Sequence, residues 1–552
     1  MRRWNGWGDE GQTYPLPDIA AGYLAEQIGP AQQLCDAALT SVVAGVPAAR
    51  HAPHPLISDD PLTRLRHARG QSLPDWIDLR SGQIETFPDA VACPQSEAQV
   101  KALLEYAAQN AVRLIPYGGG TSVVGHINPE SGSDPVVSVD MRRMAGLLEL
   151  DKESRLATFA AGVSGPELES QLQQNGLTLG HYPQSFEYST LGGWIATRSS
   201  GQQSYYYGRI EELFAGGRLL TPVGTVDLPA FPASAAGPDL RHMVLGSEGR
   251  FGIISRATVR VRPLPEREGF FACFFHDWES GAVAVREIAQ AGLPASMLRL
   301  SDARETETTL VLSGQDRLLP WADRGLRILG YGPDRCLLIY GLTGARREHG
   351  RLRRRLASMM RTHGGLPVGG MIGRQWRKSR FRSPYLRNTL WEEGYAIDTL
   401  ETAIRWSDVL PTADRVKGVL RDGLANDVER VLVFCHLSHV YADGASIYFT
   451  YLFRRAADPE QTRDRWRRLK QAASQVIVDQ GGTISHQHGV GVDHAGYLVA
   501  EKGENGLRAL EALRRSLDPT SLMNPGKLLN GHSIDKIELT DEDKRDVESR
   551  LA

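Results

Sequence analysis

The sequence predicts an α+β protein with more than one domain. At 552 residues the chain is too long for a single compact core. Three glycine-rich loops adjoin predicted strands between residues 86 and 265, and strand-like and helix-like segments alternate between residues 266 and 480. These observations favour two α+β domains in series, the second with a mostly antiparallel sheet, and helical segments at both ends of the chain.

The overall composition is that of an ordinary folded protein. Apolar residues make up 41% of the chain and charged residues 23%, both typical of globular domains. The formal net charge of −2 gives no electrostatic reason to bind nucleic acid. The five cysteines are scattered and form no C-x-x-C pair, which argues against a disulfide framework or a zinc ribbon. We therefore expect a reducing, intracellular setting and no nucleic-acid partner.

No segment indicates export or membrane insertion. The arginines near the amino terminus are followed by no apolar run, so we expect no signal peptide. No stretch approaches the roughly 20 apolar residues that a membrane span requires. The chain ends Ser549-Arg-Leu-Ala552, which does not match a peroxisomal signal of the Ser-Lys-Leu type. These features predict a soluble, cytoplasmic protein.

The first predicted domain spans residues 86–265 and follows a helical N-terminal extension, residues 1–85. Ser96 and Gln99 predict a capping box at the start of a helix. The other predicted elements of this domain are strands at 90–94, 112–116, 136–140, 156–161 and 253–263, and a helix at 166–175.

The second predicted domain spans residues 266–480. Its predicted strands lie at 270–275, 335–342, 431–437 and 445–453. Its predicted helices lie at 279–291, 345–361, 411–425 and 461–479. A C-terminal segment, 481–552, contains a predicted helix at 505–516 and a polar tail after residue 533.

The glycine-rich loops are the first chemical clue. The segment 116–125 carries three consecutive glycines, which allow positive φ and bring several N–H groups towards one anion. It lacks both the G-x-G-x-x-G fingerprint and the lysine of a P-loop. Alone, it could equally be a tight surface turn. With two further loops of small and hydroxyl residues, 183–201 and 246–254, it suits a long ligand with a pyrophosphate and a flat ring, such as a flavin dinucleotide.

In this order, the motifs P-x-G-G-G-T-S-V, P-x-S-x-E-x-S-T-x-G-G-W and G-S-E-G-x-x-G-I-I resemble the vanillyl-alcohol-oxidase superfamily, and the alkyldihydroxyacetonephosphate synthase family in particular. The resemblance implies a PCMH-type FAD-binding domain over 86–265, a cap domain over 266–480, and a C-terminal segment that packs on the FAD domain and completes the active site. No histidine lies within the loop at 117–120, so we expect the FAD to be non-covalent. The resemblance assigns cofactor binding to Pro116, Tyr117, Gly118, Gly119, Gly120, Thr121, Ser122, Pro183, Gln184, Ser185, Phe186, Glu187, Tyr188, Ser189, Ala196, Thr197, Arg198, Ser199, Glu248, Gly249, Arg250, Phe251, Gly252, Ile253 and Ile254.

The loop Ser485–Gly491 holds two histidines, His486 and His488, that can project from a sharp turn. Imidazoles near neutral pKa suit proton transfer or oxyanion binding. Two alternatives are hydrogen-bonded structural histidines and a metal site. Because no H-E-x-x-H or comparable ligand set is present, we predict no metal.

The resemblance also assigns roles to single residues. The family carries three successive histidines at this loop, where this chain has Gln487 in the middle, and a glutamine cannot shuttle a proton. Tyr448 matches the family's catalytic tyrosine, although a phenol acts as a base only where a cation or a flavin stabilises the phenolate. Arg387 matches an arginine that binds substrate, and Arg299 a supporting one. A guanidinium holds a phosphate by two parallel hydrogen bonds, whereas without the resemblance a surface ion pair would be the simpler interpretation.

The expected activity is exchange of the acyl group of acyl-dihydroxyacetone phosphate for a long-chain alcohol, a step of ether-lipid biosynthesis that runs in this family through a covalent flavin N5–substrate adduct. The partners implied are small-molecule lipid substrates and a second copy of the chain in a homodimer. The basic amphipathic helix at 346–361 allows peripheral membrane contact, although a solvated cap-domain helix is the simpler interpretation.

Two other functions fit parts of the pattern. FAD-dependent 2-hydroxyacid dehydrogenases or oxidases of the D-lactate or glycolate type share H-G-V-G and the ending Asn524–Lys527, but they show E-H-G-V-G where this chain has Gln487-His488. Their G-D-G-N-x-H pattern is replaced here by Asp443–Tyr448. A flavoprotein that carries a lipid without turnover is the third possibility, and retention of Tyr448 and Arg387 argues against it.

Overall fold

The computed structural model describes residues 2–312 and 319–529 and confirms the predicted α+β class. The predicted polar tail after residue 533 lies outside these residues. Within the described residues, no helix has both the length and the apolar character needed to cross a bilayer. The first part of the chain contains a four-stranded sheet, in the order Ile57–Ser58, Ala90–Ala92, Val136–Asp140 and Arg113–Tyr117. It also contains a five-stranded antiparallel sheet, in the order Leu147–Asp151, Leu156–Ala160, Ile253–Arg260, Phe214–Thr221 and Gly224–Leu228. A two-stranded pair joins Leu177–Thr178 to Arg262–Pro263.

Helix Glu97–Asn110 connects two parallel strands of the four-stranded sheet. Ser96 caps it as predicted, since its Oγ accepts from the Gln99 N–H at 3.3 Å. The reciprocal bond of a capping box is missing because the Gln99 side chain instead accepts from the Gln95 N–H, at 2.7 Å. The other helices of this part are Gly165–Gln173, Leu191–Thr197, Ser204–Tyr207, Ile210–Leu213 and Arg241–Val244.

The second part is built on one seven-stranded sheet in which every neighbouring pair is antiparallel, as predicted. Its order is Leu366–Gly369, Arg267–Phe275, Cys336–Gly344, Ala295–Ser301, Leu432–Val440, Gly444–Arg454 and Tyr395–Arg405. The helices around it are Trp278–Gln290, Ala303–Leu312, Leu319–Ile328, Arg346–Thr362, Met371–Ser379, Ser383–Glu392, Trp406–Asp422 and Pro459–Asp479. The basic helix Arg346–Thr362 buries Leu356 and Met360, so its apolar face packs against this domain.

The two ends of the chain pack on different parts. The first 85 residues form helices Asp18–Ile28, Leu39–Ala44, Pro61–Arg66 and Leu73–Ser81. Trp7 and Trp76 from this region join the largest hydrophobic core, together with residues of the seven-stranded sheet. The C-terminal helix Leu498–Leu517 instead packs on the core of the five-stranded sheet. The loop that precedes it contacts strand Tyr395–Arg405 through His486 and the glycine-rich loop 246–254 through Val490.

Candidate active site

A cavity of about 980 Å³ lies between the glycine-rich loops and the seven-stranded sheet. Of the predicted cofactor residues, its wall includes Pro116–Ser122, Pro183–Ser185, Ser189, Ala196, Thr197, Ser199, Glu248, Gly249 and Gly252–Ile254. Arg299, Arg387, Tyr448 and His488 line the same cavity from the other side. The structure therefore gathers side chains that lie hundreds of residues apart in the sequence.

The first glycine-rich loop can hold an anion. A Cβ at Gly119 would lie 1.8 Å from the Tyr188 carbonyl oxygen, and Gly120 has a φ of +68°, so neither position tolerates a side chain. Within the described residues, the N–H groups of Gly119, Gly120 and Thr121 donate to no other group. Ser247 Oγ, on the third loop, lines the cavity and is buried without a partner in the part of the chain that the structure describes. This set of open donors fits the pyrophosphate of a dinucleotide such as FAD.

Six of the predicted cofactor residues do not line the cavity. They are Phe186, Glu187, Tyr188, Arg198, Arg250 and Phe251. Phe186 and Phe251 are buried in the core of the five-stranded sheet. Glu187 and Tyr188 bond to the hydroxyl of Tyr385 at 3.1 Å each, Arg198 pairs with Glu211, and Arg250 donates to the Met523 carbonyl. The structure therefore gives these six side chains packing and tethering contacts.

Arg387 brings to the cavity a positive charge that forms no ion pair within the described residues. It lies on helix Ser383–Glu392, with its guanidinium 4.4 Å from the centre of the Trp76 ring. Its Nη1 donates to the Gln71 carbonyl at 2.5 Å, whereas Nε and Nη2 are buried and have no partner within the described residues. Burial lowers the pKa of Arg387 to about 10. The two open donors suit a charged oxyanion of a substrate.

Tyr448 stands on strand Gly444–Arg454 and stacks on His436, with ring centres 5.0 Å apart. His436 Nδ1 lies 2.9 Å from Glu305, which also accepts from Arg299 Nη2 at 2.8 Å. Arg299 is thus held by Glu305 and supports the histidine beneath Tyr448. Burial raises the pKa of Tyr448 well above its ordinary value, so the phenol is protonated at neutral pH.

The histidine loop is organised by a carboxylate that the sequence did not single out. Glu401 is 1% exposed, on strand Tyr395–Arg405. Its Oε1 lies 3.2 Å from His486 Nδ1, and its Oε2 accepts from Gln487 Nε2 at 2.7 Å. His486 Nε2 lies 2.6 Å from the Tyr441 hydroxyl, and His486 does not line the cavity. His488 does, with its ring edge-on to Tyr448 at 5.7 Å between ring centres.

The same loop is tied to the first part of the chain. Glu248 accepts from the N–H groups of Val490 and Gly491 at 2.5 and 2.8 Å. Asn524 then donates to the Glu248 carbonyl at 2.7 Å. Glu248 therefore fixes the position of His488 relative to the glycine-rich loops.

Comparison with known proteins finds a family model for each of the two parts of the chain that line the cavity. Residues 88–227 match the family model "FAD binding domain", and residues 264–528 match "FAD linked oxidases, C-terminal domain". An alkyldihydroxyacetonephosphate synthase of Trypanosoma brucei brucei is 32% identical over 85% of this chain and 78% of its own length.

Solved structures agree. A structure of an alkyldihydroxyacetonephosphate synthase superposes with a TM-score of 0.82, at 27% identity, over 95% of this chain and 98% of that one. A p-cresol methylhydroxylase superposes with a TM-score of 0.64 over 86% of this chain and 94% of that one, and at 13% identity this likeness concerns the fold alone. The chain therefore has a PCMH-type FAD-binding domain with FAD as its cofactor, and it belongs to the alkyldihydroxyacetonephosphate synthase family.

Proposed function

We propose that this enzyme replaces the acyl group of acyl-dihydroxyacetone phosphate with a long-chain alcohol. The observation that carries the proposal is one cavity that joins the donors for FAD, the open guanidinium of Arg387 and an apolar wall. That wall includes Met297, Leu337, Ile339, Leu390, Ile397 and Phe434. A phosphate next to Arg387 and a hydrocarbon chain along the apolar wall would satisfy both surfaces at once.

Three side chains of the cavity have distinct proposed roles beside the cofactor. FAD, when bound, supplies a redox-active electrophile, which lets the exchange proceed without an external oxidant. Arg387 would hold the phosphate through Nε and Nη2. Tyr448, kept as a neutral phenol by burial, would donate a proton. His488, edge-on to Tyr448, would accept one, because Gln487 cannot carry a proton.

The finer features are also proposals. We propose that the FAD is non-covalent, since the loop 117–120 contains no histidine. We also propose domain boundaries at residues 85, 265 and 480, and a homodimer.

Membrane contact would come from the rim of the cavity, where Met371 lines the cavity and is 66% exposed. Co-sedimentation of the protein with phosphatidylcholine vesicles, weakened by Met371→Glu, would support that contact.

The decisive experiment is an anaerobic exchange assay on the purified flavoprotein. Acyl-dihydroxyacetone phosphate and a radiolabelled long-chain alcohol should give labelled alkyl product, and Tyr448→Phe should abolish it while FAD stays bound. If no product forms and D-lactate or another 2-hydroxy acid bleaches the flavin, the enzyme is a dehydrogenase and the proposal is wrong.

A further inference from the structure

Beside the cavity, Glu401, His439 and His486 form a buried cluster whose candidate ligand atoms all lie within 4.8 Å of one another. The three residues come from two strands and the histidine loop, and each is at most 5% exposed. We propose that this cluster binds a divalent transition-metal ion, and that Zn²⁺ is the ion its ligands suit best. The site is additional to the proposed exchange activity and does not depend on it.

The spacing of two of these residues suits ligation of one shared ion. His486 Nδ1 lies 3.2 Å from Glu401 Oε1, yet it has no aligned hydrogen-bond partner within the described residues. Zinc bonds nitrogen and oxygen at about 2.0–2.2 Å in tetrahedral geometry, which places two ligand atoms about 3.4 Å apart. An ion bound between these two atoms would give the buried nitrogen of His486 the partner that it otherwise lacks among the described residues.

One nitrogen of each histidine has a partner that could fix the ring and leave the other nitrogen for the ion. His486 Nε2 lies 2.6 Å from the Tyr441 hydroxyl, and His439 Nδ1 lies 2.9 Å from Ser204 Oγ. Metal-binding histidines usually give their second N–H to such an acceptor, which sets the tautomer and the ring orientation. The carboxylate is oriented in the same way, because Gln487 donates to Glu401 Oε2 at 2.7 Å.

Two imidazoles and one carboxylate form a ligand set typical of zinc sites that keep a fourth position open. His439 and Ser438 line the cavity, so the fourth position lies at its wall. Water or an oxyanion could occupy that position. The ion would also hold the loop that carries His488, since His486 belongs to that loop and the other two ligands belong to strands.

The metal content of the full-length flavoprotein tests this proposal. Protein treated with a chelator, incubated with Zn²⁺ and gel-filtered should retain about one zinc per chain by inductively coupled plasma mass spectrometry. Glu401→Gln and His439→Asn should each lower that content at least tenfold. His436→Asn is the matched control, because His436 lies on the same strand as His439 and outside the cluster, and it should leave the content near one. Bound FAD and circular dichroism check that each variant is folded.

X-ray absorption of the wild-type protein gives a test that needs no variant. The expected zinc shell has two imidazoles, oxygen donors and no sulfur. Less than about 0.1 zinc per chain in the wild type, equal zinc in the cluster variants, or a shell without two imidazoles would each overturn the proposal. The cluster would then be a purely hydrogen-bonded support for the histidine loop.

Discussion

Replacing Arg387 with methionine tests its role in substrate binding apart from its role in folding. We expect kcat/KM to fall strongly and the free energy of unfolding to change little. Methionine has a similar length and no charge. In the native protein the guanidinium contacts the Trp76 ring and the Gln71 carbonyl, and it forms no ion pair among the described residues. Its Nε and Nη2 have no partner among the described residues, and we propose that they bind the substrate.

The magnitudes follow from these contacts. Lowering the pKa of Arg387 from 12.5 to about 10 by burial corresponds to at most about 3 kcal/mol of destabilisation. At pH 7 this cost is fully present, because both the folded and the unfolded state hold the proton. Methionine removes the cost but also loses about 1.5–3 kcal/mol of hydrogen bonding and about 1–2 kcal/mol of cation–π attraction. The free energy of unfolding should therefore stay within about 2 kcal/mol of the wild type.

The expected effect on activity is larger. Two charge-assisted hydrogen bonds to a phosphate, at about 1.5–3 kcal/mol each, predict a fall of about 10²- to 10⁴-fold in kcat/KM. The assay is the exchange reaction, run beside urea unfolding of the same samples. Arg387→Lys is the matched control, because it keeps the charge without the parallel donors and should lose less. A kcat/KM within tenfold of the wild type in Arg387→Met, or a loss of activity explained by unfolding, would refute the reasoning.

Three further predictions concern the cofactor, the apolar wall and a buried lysine. Acid precipitation should release FAD to the supernatant, and a yellow pellet would contradict a non-covalent flavin. Ile397→Trp narrows the cavity at its apolar wall, so kcat/KM should fall more for a sixteen-carbon alcohol than for an eight-carbon one. An equal fall for both alcohols would show that the alkyl chain binds elsewhere. Lys527 is 1% exposed and burial lowers its pKa from 10.5 to about 8, so stability should rise between about pH 8 and 10.5, where the unfolded state binds more protons. Lys527→Met should remove that rise and stabilise the protein by up to about 3 kcal/mol at pH 7, as measured by urea unfolding at several pH values.

Periodicity predicted many of the strands and missed others, and one of the missed strands carries buried charge. Gly444–Arg454 and Leu432–Val440 are largely apolar runs, and both were predicted. Strand Tyr395–Arg405 was missed, because it places Asp398 and Glu401 in the interior. Asp398 is satisfied by Tyr451 and by Trp466 Nε1, the latter at 2.7 Å, and this partner lies 68 residues away along the chain. Local pattern carries no information about such partners.

The cofactor motifs show a related limit. A contiguous motif cannot turn every side chain towards one ligand, because neighbouring residues on an extended or turning chain point in different directions. In the second loop, Ser185 and Ser189 line the cavity while Phe186 packs in the core. In the third, Gly249 and Gly252 line it while Phe251 is buried behind them. In both loops a phenylalanine packs in the core, while serines or glycines on either side of it border the cavity.

Gln487, which stands where the family carries a histidine, keeps a hydrogen bond that supports the loop but cannot transfer a proton. Its Nε2 donates to Glu401 at 2.7 Å, so the amide supports the carboxylate that orients His486. A histidine at this position could make the same contact and also move a proton, whereas the amide cannot. In the mechanism that we propose, proton transfer at this loop therefore falls to His488, whose ring lies edge-on to Tyr448. Gln487 therefore supports the architecture of the loop, and we propose that the acid–base chemistry rests on His488 and Tyr448.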